Sequence, residues 1–300
     1  MASYKPGLAG SNPPLRPLYQ FEADFLRFVS AEADRLVALA GMLASRRLEY
    51  NVLPLAGRRH LFVRPGGGPV RIIFAAHYDR FPGSPGVLDN ACACLQLADL
   101  GARLSQAGLG RGIALLFTDG EEAPSAEGPL SQGSYALARG LRQALGGEAP
   151  PVLVLDVTGR GDRLILSTAS AGLAERGRLA RSKAVEASVD EEAKRALPAE
   201  GLYRLYALCD AASRRASIEP PARLLLPWSD DLGFTLGGLP AVALSLLPRA
   251  EAEALAYGGP SPETWGYLHS VNDGTALAEA QAFTLMSSFL DALASSIASG

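Results

Sequence analysis

Four continuous apolar runs constrain this chain most: VRIIFAA (70–76), GIALLFTD (112–119), PVLVLDVTG (151–159) and PAVALSLL (240–247). Each has the length of a strand and too few polar positions for one face to stand in water. Between them lie segments with helical spacing, at about 89–106, 131–145, 172–186, 190–197, 202–216, 232–236 and 274–298. A further helical spacing runs from Phe21 to about Arg47, and YNVLPL, HLFVRP, RLILS and ARLLLP add shorter β-rich runs. Buried strands alternating with amphipathic helices predict an α/β fold: a central mixed, mostly parallel sheet flanked by helices on both faces. No linker, charge block or repeat divides the chain, so one domain over 19–300 is expected, preceded by a Pro- and Gly-rich surface arm at 1–18.

Composition removes some function classes. A net charge of -3 gives no electrostatic footprint for nucleic acid or an anionic membrane, and neither is expected as a partner. The oligomeric state stays open. The amino terminus has no apolar signal region and no run reaches the roughly 20 residues of a membrane span, so a cytoplasmic location is expected. The three cysteines, Cys92, Cys94 and Cys209, read as buried reduced thiols.

In parallel sheets ligands bind beyond the carboxyl ends of the strands, so the residues that end each run matter most. IIFAA ends in His77-Tyr78-Asp79, ALLFTD in Gly120-Glu121-Glu122, and LVLD at Asp156; VALSLL leads through a loop to His269. Taken singly each is ordinary, and Asp89, before NACACLQLADL, has the position of a helix N-cap. Together they crowd acids and imidazoles at one edge, where the carboxylates would repel unless a cation offsets them. Two histidines and three carboxylates suit zinc, and two ions could each take one histidine and one carboxylate with a third carboxylate shared. Such a site activates water for attack on a carbonyl, and Glu121, beside the expected ligand Glu122, is placed to move the proton.

The ordered set AAHYD (75–79), VLDNACA (87–93), LLFTDGEE (115–122), GSYALA (133–138), VLDVTG (154–159), SDDLGF (229–234), GLPAVAL (238–244) and YLHSVND (267–273) resembles the co-catalytic zinc aminopeptidases of metallopeptidase family 28 and their relatives, the glutaminyl cyclases. The resemblance implies a zinc exopeptidase-like fold and one or two zinc ions. It places His77 and Asp156 on one ion, Glu122 and His269 on the other, and Asp89 between them. Glu121 would be the general base and acid, Asp79 would orient His77, and Asp230 would lie near the substrate. It also implies a cis peptide at Asp89-Asn90. His60 matches no motif and reads as structural.

The activity implied is removal of N-terminal residues from peptides; the alternative is glutaminyl-peptide cyclotransfer on a single zinc. Three features depart from the aminopeptidase pattern or bear on that choice. Asp231 stands where the family often has histidine, which predicts altered substrate recognition. The link APSAEGPLSQ (123–132) is longer than usual and is similar to that of the cyclases. Leu268, not tryptophan, precedes His269, and Trp265 lies three residues earlier, which favours the aminopeptidase. A non-catalytic relative would be expected to have lost ligands, and none is lost here.

Overall fold

The computed structural model describes residues 22–122, 128–145, 148–182 and 199–298. The expected arm at 1–18 and the expected helix at 190–197 lie outside these residues. The strands are β1 (Tyr50–Leu55), β2 (Arg58–Val63), β3 (Ile72–His77), β4 (Ile113–Thr118), β5 (Val152–Leu155), β6 (Arg163–Ser167), β7 (Ala222–Leu224) and β8 (Ala241–Leu247). They form one sheet in the order β1-β2-β4-β3-β5-β8-β6-β7. The inner four, β4, β3, β5 and β8, are mutually parallel. Antiparallel pairings appear towards the edges, β1 with β2, β2 with β4 and β6 with β8, while β7 runs parallel to β6. Every residue of the four inner strands is buried, as their unbroken apolar runs require.

The helices are α1 (Ala23–Phe28), α2 (Arg35–Ser45), α3 (Cys92–Ala107), α4 (Gly133–Ala144), α5 (Ala169–Ser182), α6 (Ala199–Arg215), α7 (Asp230–Leu236), α8 (Arg249–Ala256) and α9 (Ala280–Ala298). The two-residue period of β3 divides its side chains between two cores. Ile72, Phe74 and Ala76 meet a large cluster with Leu39, Leu97, Leu205 and Phe289 from α2, α3, α6 and α9. Ile73 and Ala75 face the other way, against Leu137 and Leu141 of α4 and Phe234 of α7. The sheet is therefore covered on both faces, and its strand ends are left as the open edge.

Three local differences from the sequence expectation have physical causes. The helical spacing of 21–47 is broken into α1 and α2, because the Asp34 carboxylate accepts the N–H of Val37 and caps a new helix start. The C-terminal helix begins at Ala280, after a short 3₁₀ turn over Thr275–Leu277, and not at Gly274. Helix α8, within a segment expected as loop, buries only Ala252 and so carries little apolar periodicity.

Cys92, Cys94 and Cys209 are free and buried. Among the described residues, no helix is long and apolar enough to cross a membrane.

Candidate functional site

Parallel β3, β4 and β5 deliver His77, the Glu121-Glu122 pair and Asp156 to the same edge. His77 is the last residue of β3 and is fully buried. Asp89 arrives from a wide turn over Val87–Ala91, where it and Asn90 leave helical φ/ψ and the peptide between them is cis. That turn is fixed from three sides. Asp273 accepts the N–H groups of Leu88 (2.7 Å) and Asp89 (3.2 Å), and Asn90 donates its amide to the Leu155 carbonyl at the end of β5. Gly86 opens the turn in the left-handed region (φ 61), where a Cβ would meet the Asp89 carbonyl oxygen at 2.7 Å. Asp89 is thus no helix cap: its carboxylate faces imidazoles.

Asp89 Oδ1 lies 3.0 Å from His77 Nε2, and its Oδ2 lies 3.2 Å from His269 Nε2. His77 Nε2 is also 3.6 Å from Asp156 Oδ1, and His269 Nε2 is 3.1 Å from Glu122 Oε2. His77, Asp89 and Glu122 each offer a ligand atom within 4.8 Å of the others. The structure thus brings together all five residues expected to hold metal.

The surrounding groups orient these five. Asp79 Oδ1 stands 3.6 Å from His77 Nδ1, and the Asp79 carboxylate accepts the backbone N–H groups of Glu121 (3.3 Å) and Glu122 (3.0 Å). Gln132 donates its amide to Glu121 Oε1 at 3.0 Å. Asp230 is fully buried at the start of α7 and accepts the hydroxyl of Thr118; its Oδ1 has no hydrogen-bond partner. Asp231 turns away from the centre, into a buried hydroxyl group: Ser170 donates to its Oδ2 at 2.9 Å, and Thr235 donates to Ser170. His60, also fully buried, accepts the N–H of Asp119 on Nδ1 at 3.1 Å, a bond that ties β2 to the end of β4.

Asp273, Gln132 and Thr118 were not singled out from the sequence. All three fall inside quoted stretches, YLHSVND, APSAEGPLSQ and LLFTDGEE, but no residue type or spacing there marks them out.

Electrostatics in the cluster follow burial and charge. Burial pushes the Glu121 carboxyl well above its ordinary value, and Asp156, Asp230 and Asp89 push it further, against the opposing effect of His77. Burial and Asp89 raise Glu122 to about 8. Burial raises the Asp89 carboxyl too, but the two imidazoles outweigh it and hold Asp89 well below the carboxylate range.

The donor set fits a cation. His77 Nε2, Glu122 Oε1 and Asp156 Oδ1 are buried without a hydrogen-bond partner, although other polar atoms crowd them. Each unsatisfied buried atom costs about 1–3 kcal/mol, and more when charged. Metal ions held between these residues would satisfy all three through their lone pairs.

The family model for peptidase family M28 matches residues 62–275. This chain belongs to peptidase family M28. No curated protein sequence matches the M28 chain. Among solved structures, a Porphyromonas gingivalis glutaminyl cyclase superposes on it with a TM-score of 0.66 at 16% identity, covering 95% of this chain and 100% of that one. A Legionella pneumophila aminopeptidase, LapA, gives 0.62 at 17% identity over 94% of this chain and 71% of its own. A zinc-dependent exopeptidase from Parabacteroides distasonis gives 0.58 at 13% identity over 90% and 95%. At these identities the likeness is one of fold, and the M28 fold hosts both activities among the neighbours.

Proposed function

We propose that this M28 chain is a zinc-dependent aminopeptidase that hydrolyses N-terminal residues from peptides. The observation that carries the proposal is the Asp89 carboxylate, which presents one oxygen to each of two imidazoles. A shared carboxylate between two histidines, each with a further carboxylate beside it, is the arrangement a pair of ions needs. In this assignment His77 and Asp156 would hold one zinc ion, Glu122 and His269 would hold the other, and Asp89 would serve both. When bound, zinc supplies Lewis-acid polarisation of the scissile carbonyl and lowers the pKa of water.

The chain's own residues do the rest. Glu121 takes the proton of the attacking water and returns it to the leaving amine; burial and neighbouring acids raise its carboxyl above the ordinary carboxylate value. Gln132 holds the Glu121 carboxylate in place from one side. Asp79 holds the backbone of Glu121 and Glu122 and faces the second nitrogen of His77, which fixes ring and loop together. Asp230 is assigned a place near the substrate site, its carboxylate buried at the start of α7 against the Thr118 hydroxyl.

A second activity, glutaminyl-peptide cyclotransfer, is favoured by the long link at 123–132 and by the wording FTDGEE (117–122). The deciding experiment assays the purified protein, with metal content measured, on Leu-, Ala- and Gln-terminated peptides side by side. Release of free N-terminal amino acids is the expected result. Pyroglutamate formed from the Gln peptide alone would replace this assignment with the cyclase.

A further inference from the structure

The two imidazoles of the centre are oriented by different means. His77 is fully buried and has Asp79 beside Nδ1. The His269 side chain is half exposed, at 52%, and its backbone stands in the left-handed region (φ 57). Among the described residues no acceptor bonds its Nδ1. An imidazole so placed would swing about its side-chain torsions, and an exposed ligand that swings loses entropy each time it binds.

What does meet this ring is Phe81. The two rings stack with centroids 4.8 Å apart and planes 14° from parallel. Phe81 stands two residues after Asp79, on the loop that leaves β3, and that loop is anchored. The guanidinium of Arg80 donates to the carbonyls of Ser30 (2.9 Å) and Ala31 (2.6 Å), and the Phe81 carbonyl accepts the N–H of Ser84 at 3.0 Å. Phe81 itself remains 36% exposed.

We infer that Phe81 is a positioning residue for His269: its ring is the wall that holds the exposed imidazole in its ligating orientation, in place of the burial and the carboxylate 3.6 Å from Nδ1 that His77 has. One short loop thereby sets both histidines, Asp79 beside one ring and Phe81 against the face of the other. The inference rests on the metal-centre assignment above. It adds a role for a residue that makes no contact with metal in that assignment.

The test uses the full chain, cleared of metal by chelator and titrated with Zn²⁺ alone. Phe81→Ala is expected to weaken one of two binding steps on the order of 10-fold, the lower end of the effect of losing a ligand's supporting partner. The other step and the melting temperature of the metal-free chain stay as in the wild type. Phe81→Leu, which keeps the apolar bulk and loses the flat face, behaves like Phe81→Ala and guards against a folding artefact. Phe81→Trp restores the lost affinity.

A second readout is independent of metal. The chain has three histidines, so its imidazole carbon-proton spectrum is simple. In Phe81→Ala the His269 signals lose their upfield ring-current shift while those of His60 and His77 stay in place. Zn²⁺ affinity and His269 signals unchanged in Phe81→Ala would overturn the inference, as would failure of Phe81→Trp to restore binding. Neither readout involves peptide, so a chain that shows this Phe81 dependence but hydrolyses nothing would refute the proposed activity and leave the stack standing.

Discussion

Asp79 Oδ2 accepts the backbone N–H of Glu122 at 3.0 Å, a bond that joins the loop leaving β3 to the loop leaving β4. The same carboxylate takes the N–H of Glu121 and faces His77 Nδ1, so one side chain holds a ring and two neighbouring acids in register. Burial raises its carboxyl, but the His77 ring and these two N–H groups outweigh that and leave it below the ordinary carboxylate value. Replacing Asp79 with Ala is expected to weaken Zn²⁺ binding about 10–100-fold. Competition against a chelator of known affinity measures this; binding equal to the wild type would remove Asp79 from the account.

Glu121→Gln keeps the shape of the side chain and loses its ability to take up and release a proton. Turnover on a peptide substrate should fall roughly 10²–10⁴-fold while Zn²⁺ content stays unchanged. Steady-state kinetics with metal analysis on the same sample checks both halves. Full activity in the variant would reassign the proton transfer to another group.

His60 makes a pH prediction away from the metal. Burial lowers its imidazole to about 4, and Asp119 donates its backbone N–H to the neutral ring. A histidine depressed in the folded state gives stability that is present above its unfolded pKa, about 6.5, and is lost as pH falls through the folded value. Between pH 7 and pH 5 the loss should be about 2 kcal/mol. Urea unfolding of the metal-free chain at the two pH values, beside His60→Gln, isolates it: the variant should lose about 2 kcal/mol less than the wild type over this interval.

Asp231 is a charge in the wrong medium. Burial pushes its carboxyl up to about 7, Ser170 donates to one oxygen, and the other has no partner. A carboxyl raised on folding gives stability that is complete below its unfolded pKa, about 3.9, and falls as pH rises through the folded value. Asp231→Asn keeps an acceptor for Ser170 and removes the ionisation. Its stability should exceed the wild type by about 1–3 kcal/mol at pH 8 and match it near pH 4. Equal denaturation midpoints at pH 8 would show that the charge is tolerated.

The inner strands were legible because burial on both faces leaves an unbroken apolar run, as in IIFAA, and the first polar residue after it marks the working edge. His77, Glu122 and Asp156 stand out for the same reason, just beyond the ends of these runs; Asp89, on a turn, reads alone as a helix cap, and its place beside them came from the resemblance. The supports were not legible. Asp273 reaches back 185 positions to hold the N–H of Leu88, and no local pattern encodes a bond of that span. Phe81 looks like any loop aromatic until His269 is folded against it. Asp231 was expected to alter substrate recognition because histidine often stands there in the family. The structure turns it toward Ser170, since adjacent residues at the start of α7 point to different sides.

Zn²⁺ titration of the metal-free wild type beside Asp89→Ala addresses the shared carboxylate directly. Two ions per wild-type chain are expected, with tight binding lost at both positions in the variant, because Asp89 faces both imidazoles. An Asp89→Ala chain that binds zinc with wild-type stoichiometry and affinity would contradict the account.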